Sequence, residues 1–253
     1  MKKKGLRILE QSLMMKLTKK VFIIICLFCA SVSFSQECEG ELWFNDSNPW
    51  SSQEVIETDI INKVDLSPLF TDKRTDFLGY IGENKRRLFV DLSFVKKVDG
   101  HKYLIAGKTK VGANNREFRG YLEIENTYQF KEFINGVDDF MKGKILNQGI
   151  AVANCLFVED FSYSSTGIFE GQFVVRWYLT LDNELKYDDI TSFSDSYFNN
   201  QFYGDWTSYK TGKSSVVAWG HYRIPCSGDL DWGASEFSPN PKYYQYGWED
   251  YEP

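Results

Sequence analysis

The stretch from Tyr197 to Tyr251 combines residue types that can hold a sugar. Aromatic side chains are frequent there, and carboxylates and a histidine are interleaved with them. Aromatic faces stack on sugar rings, while carboxylates and imidazoles hydrogen-bond to hydroxyl groups. The candidates for such a binding face are Trp206, Trp219, His221, Asp229, Asp231 and Trp232. The alternative is that these rings pack a β-domain, because aromatic residues also dominate ordinary cores.

Carboxylates of the same stretch offer a second kind of chemistry. Asp229, Asp231 and Glu236 could supply the two acidic groups that glycoside hydrolysis needs. Equivalent pairs occur at Glu159-Asp160 and Asp188-Asp189, so the pattern does not single out one catalytic pair. We therefore keep a carbohydrate hydrolase as an alternative and assign no catalytic residue.

Metal and cofactor sites have little support in the sequence. Asp229 and Asp231 alternate as Ca²⁺ ligands do, but Gly233 stands where an EF-hand loop has a third Asp or Asn. Only His101 and His221 are available, which excludes a site of three histidines. We expect no metal site and no cofactor.

The elements that must position these residues read as antiparallel β-strands. From Thr75 onward, short runs rich in β-branched and aromatic residues alternate with compact turn signals. The turn signals are Gly82-Glu-Asn-Lys85, Asp99-Gly100, Gly112-Ala-Asn-Asn115, Asp182-Asn183 and Thr211-Gly212. Successive hairpins favour an all-β meander that closes into a lipocalin-like barrel, with a β-sandwich as the alternative.

Two local patterns add detail to this expectation. Apolar residues recur at helical spacing between Tyr128 and Lys144, which predicts one short amphipathic helix. Phe118-x-Gly120-x-Leu122 matches Phe169-x-Gly171-x-Phe173 later in the chain. A glycine inside an alternating strand indicates a bend or a close approach, so we take these glycines as architectural. The C-terminal stretch is expected to be rich in aromatic residues and irregular.

Residues 16–36 have the three parts of a secretory signal peptide. A cluster of lysines precedes the apolar run 21–30, and the small residues Ser33 and Ser35 suit cleavage before Gln36. The apolar run is shorter than the roughly 20 residues that a membrane-spanning helix needs. The pattern predicts export to the periplasm or the medium, with no membrane span after cleavage.

The predicted organisation has three parts. Residues 1–35 are the signal peptide, 36–74 an N-terminal segment and 75–253 a single β-barrel domain. Met14 or Met15, just before the basic cluster, is an alternative start, so the residues that precede them are left out of the fold prediction.

Charge and cysteines narrow the function classes. The formal net charge of −6 becomes more negative once the basic signal peptide is removed, so we expect no nucleic-acid partner, and an anionic membrane surface is a poor partner. Cys38 and Cys226 lie in polar, turn-like surroundings and form the predicted disulfide, with three unpaired thiols as the alternative. Cys155 lies in an apolar run that reads as a buried strand.

Short strings rich in glycine and aromatic residues recur between residues 75 and 250. They are Phe77-Leu-Gly-Tyr-Ile-Gly82, Arg87-Leu-Phe-Val90, Gly107-Lys-Thr-Lys-Val111, Phe118-x-Gly120, Gly167-x-Phe169-x-Gly171, Asn199-Asn-Gln-Phe202, Gly204-x-Trp206, Trp219-Gly-x-Tyr-Arg-Ile-Pro225 and Ser227-Gly-Asp-Leu230. These strings resemble a family of exported bacterial β-rich, lipocalin-like proteins with no assigned activity. The resemblance implies one secreted β-domain, and it brings no catalytic residues.

Together these observations favour a non-enzymatic binding protein whose partner is a small apolar molecule, a glycan or a protein. A carbohydrate hydrolase and a protein-interaction or inhibitor module are the alternatives. An acidic inhibitor would attract a basic target over a distance, whereas uptake of a small neutral ligand would depend little on salt.

Overall fold

The computed structural model describes residues 55–195 and 197–252, and the described chain is dominated by β-strands. The strands are β1 (Val55–Glu57), β2 (Phe77–Ile81), β3 (Arg86–Arg87), β4 (Phe89–Lys97), β5 (Lys102–Val111), β6 (Asn114–Phe130), β7 (Ile145–Glu159), β8 (Gly167–Thr180), β9 (Leu185–Tyr187), β10 (Asn199–Ser208) and β11 (Ser214–His221). A short helix, α1 (Ser67–Phe70), precedes β2. Short 3₁₀ helices occur at Ile60–Asn62, Val137–Asp139, Gly228–Leu230 and Pro241–Tyr246.

The strands form one curled antiparallel sheet in the order β3-β2-β11-β10-β8-β7-β6-β5-β4. Most neighbours in the sheet are also neighbours in sequence, and the pair of β2 with β11 brings the first and last long strands together. The two ends of the path, β3 and β4, follow each other in the chain and are separated by Leu88 alone. The sheet is therefore a half-barrel, and the all-β prediction is confirmed.

The predicted turns lie where strands reverse. Gly82 to Lys85 joins β2 to β3, and Gly112 with Ala113 joins β5 to β6 so that Val111 pairs with Asn114. The predicted turn Asp182-Asn183 lies between β8 and β9, which pair with each other. Two small additions extend the sheet: β1 pairs with the end of β6, and β9 pairs with β8.

The predicted amphipathic helix between Tyr128 and Lys144 is wrong. Tyr128 to Phe130 form the end of β6 and pair with β1, so their backbone groups belong to a ladder. Only Val137–Asp139 makes one 3₁₀ turn, and Asp138 inside it has a positive φ of 56°. The apolar side chains Val137 and Phe140, which suggested a helix face, are exposed on this loop.

Aromatic rings fill the interior of the half-barrel. Alternate residues of the longer strands point inward and form one buried cluster. At its centre Trp219 stacks on Phe202, with ring centroids 3.9 Å apart and planes 12° from parallel. Phe157 and Phe169 contact the same indole. The helix α1 adds Leu69 and Phe70 to this cluster, so residues before position 75 contribute to the core.

Glycines allow neighbouring strands to approach closely around these rings. Gly171 of β8 pairs with Gly204 of β10, and a Cβ built on Gly171 would lie 2.3 Å from the carbonyl oxygen of Tyr203. A Cβ on Gly120 of β6 would lie 1.9 Å from the carbonyl oxygen of Leu156. The repeated glycine in the two matching strings therefore serves the tight curl of the sheet.

The aromatic C-terminal segment covers the outer face of β2 and β11. Outward side chains of β2 and β11, Tyr80 and Ala218, form a second buried cluster with Leu230, Phe237 and Trp248. The indole of Trp248 also donates a hydrogen bond of 2.7 Å to the carbonyl oxygen of Lys85. Rings that suggested an open binding face are thus partly used to shield these strands from water.

The cysteines divide into one free and one bridged residue within the described chain. Cys155 is buried on β7 and free, and burial raises the pKa of its thiol. Cys226 is disulfide-bonded. Cys38, its predicted partner, and the signal peptide lie outside the described residues, so that pairing stays a prediction.

Gly120→Ala is expected to lower the free energy of unfolding by about 1–3 kcal/mol, because the added methyl group overlaps the backbone of β7. Gly100→Ala is the matched control, since the nearest atom to its Cβ is Asn62 Oδ1 at 4.0 Å. We expect the control to stay within about 0.5 kcal/mol of the parent in chemical denaturation. Equal losses in the two variants would contradict this account of the strand contact.

Candidate functional site

A cavity opens at the end of the half-barrel where β5 turns into β6 and β7 leads into β8. We call it the mouth cavity; its volume is about 160 Å³. Its lining comes from six strands and the segments between them. It consists of Ile81, Leu88, Thr109, Val111, Asn114, Arg116, Glu159, Ser165, Phe169 and Trp206. Apolar side chains form most of this surface, and a few polar groups converge on it, as is typical of small-molecule sites.

The strand register explains why these residues meet. Phe157 and Glu159 are alternate residues of β7, so Glu159 points inward one layer above the aromatic core. Thr109 on β5 and Trp206 on β10 reach the same layer from other strands. The rings of Phe157 and Phe169 belong to the packed cluster beneath, so the open space begins where the ring packing ends.

Glu159 is the most unusual side chain of the mouth cavity, because its carboxyl group is buried with only 5% of the residue exposed. Thr109 Oγ1 donates to its Oε1 over 3.2 Å. The backbone amide of Gly167 and the indole Nε1 of Trp206 donate to its Oε2 over 2.8 and 3.0 Å. The carboxyl group thus connects β5, β8 and β10 at the mouth of the half-barrel.

The protonation of Glu159 is set by opposing effects. Burial is the largest and raises the pKa of the carboxyl group above its ordinary value of 4.5. The three hydrogen bonds and the charge of Arg116 act in the opposite direction, because they stabilise the ionised form. All three hydrogen-bond partners are neutral, and none of them cancels the negative charge.

Arg116 lies at the rim and fastens the loop 160–166 to the start of β6. Its Nε and Nη2 atoms donate to the carbonyl oxygen of Ser164 over 3.1 and 2.7 Å. Its guanidinium group also lies 5.7 Å from the ring centre of Tyr163. On the other side of the loop, the hydroxyl of Tyr209 donates to the backbone oxygen of Glu159 over 3.2 Å. These contacts fix the loop beside the cavity.

The outer side of the rim is polar and carries exposed rings. A groove of about 330 Å³ is lined by Lys108, Asn115, Arg116, Glu117, Asp160 and Tyr163. Phe161 and Tyr163 on the loop are 83% and 61% exposed. Arg116 lines both this groove and the mouth cavity, so the two spaces adjoin.

The six predicted binding residues do not lie in one place. Trp206 lines the mouth cavity. Trp219 is fully buried in the aromatic core. His221 is also fully buried, and its Nδ1 lies 3.0 Å from the hydroxyl of Tyr187. Its other ring nitrogen, Nε2, is buried and has no hydrogen-bond partner within the described residues.

The remaining three candidates belong to the C-terminal segment on the outer face. Asp229 accepts a hydrogen bond from Tyr243 over 2.6 Å and pairs with Lys242. Asp231 pairs with Arg223, and its other oxygen accepts from the backbone amides of residues 233 and 238. Trp232 is 66% exposed. Both carboxylates therefore have structural partners, and no described contact favours a hydrolytic pair.

A network of buried polar groups surrounds β9, away from the mouth cavity. Arg176 and Asp188 form a buried ion pair with a distance of 3.4 Å. Gln148 donates to Asp188 over 2.9 Å, and Tyr197 donates to its backbone oxygen. Burial raises the pKa of Tyr187 above its usual range. These groups are paired or hydrogen-bonded with one another, and they stabilise the packing around β9.

Within the described chain, no group of three or more His, Cys, Asp or Glu residues is arranged to hold a metal ion. Among the same residues, no helix has the length and apolar character needed to cross a membrane. Comparisons with family models, curated proteins and solved structures return no match to this chain. The resemblance to exported lipocalin-like proteins therefore stays a prediction.

Sequence reasoning missed the role of Glu159, which it treated only as half of an acidic pair with Asp160. A usable signal was present: the residues 151, 153, 155 and 157 alternate as the inward face of a strand, and Glu159 continues that face. A carboxylate on an apolar inward face points to either a buried partner or a site. Thr109 on β5 follows the same inward alternation.

The free energy of unfolding is expected to decrease as the pH is lowered, because of His221. Burial, the largest effect, lowers its pKa from 6.5 to about 3, and the positive charge of Arg74 acts in the same direction while Asp72 opposes it. Between these values the unfolded chain binds the proton more readily than the folded chain. The contribution of neutral His221 to the free energy of unfolding is complete above pH 6.5. It is lost as the pH is lowered, with a slope of up to about 1.4 kcal/mol per pH unit.

Chemical denaturation at several pH values measures this slope. His221→Phe should reduce it, since phenylalanine carries no titrating group at this position. His101→Phe replaces the exposed histidine between β4 and β5, and this variant is expected to keep the pH slope of the parent. An unchanged slope in His221→Phe would rule out this origin of the pH dependence.

Proposed function

We propose that this protein is a binding protein that takes a small, compact apolar group into the mouth cavity. The observation that carries the proposal is the cavity itself, with apolar walls from Ile81, Leu88 and Phe169 and a few polar groups at one side. A dry apolar cavity of roughly 150 Å³ is large enough for benzene. The volume of about 160 Å³ therefore suits a single ring or a short branched chain.

The size of the cavity favours a small molecule over a glycan. Sites that enclose a drug-sized ligand span about 300–1,000 Å³, which is larger than the mouth cavity. A longer ligand would place one apolar group inside and extend the rest into the polar groove next to Arg116. This arrangement supports a binding protein and gives no reason to assign a catalytic step.

Export to the periplasm or the medium is part of the same proposal. It rests on the basic, apolar and small-residue pattern of residues 16–36, which lie outside the described residues. The bridged state of Cys226 supports it, because disulfides persist in oxidising compartments.

Filling the mouth cavity is expected to abolish ligand binding. Val111→Phe places a ring at the cavity wall, so it should greatly weaken the binding of benzyl alcohol, used as a neutral ring-sized probe, in isothermal titration calorimetry. Val158→Phe is the matched control, because Val158 is 38% exposed on the outer face of β7. It should bind the probe as the parent does.

Circular dichroism of both variants checks that the sheet is intact. Binding of benzyl alcohol that survives Val111→Phe would contradict the proposed location. Absence of saturable binding for benzyl alcohol and for charged ring-sized probes would contradict the proposed function.

Expression in a Gram-negative host tests export. The expected outcome is a periplasmic protein whose first residue is Gln36, as read by N-terminal sequencing. Ser35→Trp should block that cleavage, because signal peptidase requires small residues just before the cut. A protein that stays in the cytoplasm with an intact leader would be incompatible with the proposal.

A further inference from the structure

The polar side of the mouth cavity carries a carboxyl group, Glu159, whose three hydrogen-bond donors are all neutral. An ionised carboxylate offers about four acceptor positions, and Glu159 uses three of them for Thr109, Gly167 and Trp206. The free position is on Oε1, where the one contact is the longer bond of 3.2 Å from Thr109. Within the described residues, no ion pair involves Glu159. A ligand that donates a hydrogen bond to Oε1 would occupy the fourth acceptor position of the carboxylate.

The aromatic wall has matching chemistry. Trp206 and Phe169 line the same cavity as Glu159, and the indole lies against the carboxyl group through their 3.0 Å hydrogen bond. Faces of aromatic rings attract organic cations, most strongly when water is excluded. A positive group beside Glu159 would therefore meet both a carboxylate and aromatic surface.

Arg116 is the positive group of the lining, and four of its N–H donors are already used. A guanidinium group has five N–H donors. Besides the two bonds to Ser164, Nη1 donates to the backbone oxygen of Asn115 over 2.8 Å and Nη2 to Asn114 Oδ1 over 3.3 Å. A ligand anion could not form a bidentate pair without displacing the loop. The arrangement therefore disfavours a carboxylate or phosphate ligand.

We propose that the mouth cavity selects a small organic cation, namely a protonated primary amine on a compact apolar body, with the ammonium group bound by Glu159. This inference rests on the proposed binding function and names its ligand class. The apolar body lies against Ile81, Leu88 and Phe169, while the ammonium group donates to Oε1 of Glu159. The net negative charge of the chain, −6, attracts such a ligand as well.

Three probes with the same ring and different charge test the selection: benzylamine, benzyl alcohol and benzoate. At neutral pH and low salt, calorimetry should find benzylamine about tenfold tighter than benzyl alcohol and benzoate weakest, because a charged hydrogen bond is stronger than a neutral one. Equal affinities, or tighter binding of benzoate, would overturn the inference and leave the proposed function standing. No binding of any probe would overturn both.

Glu159→Gln removes the charge and retains the shape. Its amide oxygen can accept from Gly167 and Trp206, and its amide nitrogen then faces the hydroxyl of Thr109. Affinity for benzylamine should fall about tenfold, and affinity for benzyl alcohol much less. Glu170→Gln removes an exposed carboxylate from the outer face of β8. It should change the affinity for neither benzylamine nor benzyl alcohol.

Thr109→Val provides a second variant if Glu159→Gln does not fold. It deletes the hydroxyl that occupies Oε1 and leaves the carboxylate in place. The preference for benzylamine over benzyl alcohol should then persist or increase. A loss of that preference in Thr109→Val would contradict the role of Glu159 Oε1.

Discussion

Close packing of inward aromatic rings against a tightly curled sheet is the constraint on which the rest of this structure depends. The curl requires neighbouring strands to approach where a side chain would intrude, and Gly120, Gly171 and Gly204 provide those contacts. The rings then occupy the enclosed space, with the stacked pair of Trp219 and Phe202 at the centre. Core packing at this density leaves few voids, so an open space at one end is informative.

The mouth cavity follows from where the ring packing stops. Beyond Phe157 and Phe169 the polar residues Thr109 and Glu159 take inward positions beside Trp206. A buried carboxylate costs free energy unless it is hydrogen-bonded, and three donors from different strands meet that need. The same bonds fix the carboxylate in an apolar, ring-lined space, where it is available to a cation. The carboxylate of Glu159 thus connects the strands and also provides the proposed contact with the ligand.

Much of the fold was accessible from the sequence because hairpins are local. The turn at Gly112 and the repeated glycines each depend on nearby residues, and each predicted a feature that the structure shows. The helix predicted between Tyr128 and Lys144 failed because pairing with β1, a distant segment, outweighs local periodicity. The site was harder still, since two of the three donors to Glu159, Thr109 and Trp206, lie 50 and 47 residues away in the sequence. Composition drew attention to the C-terminal rings, of which Trp206 lines the mouth cavity, Trp219 lies in the core and Trp248 covers the outer face of β2 and β11.

A crystal structure of the protein soaked with benzylamine tests the central claim most directly. The account predicts that the ring lies in the mouth cavity against Phe169 and that the nitrogen lies within about 3 Å of Glu159 Oε1. Benzylamine bound only elsewhere on the molecule, or a mouth cavity filled by the protein's own side chains, would contradict it.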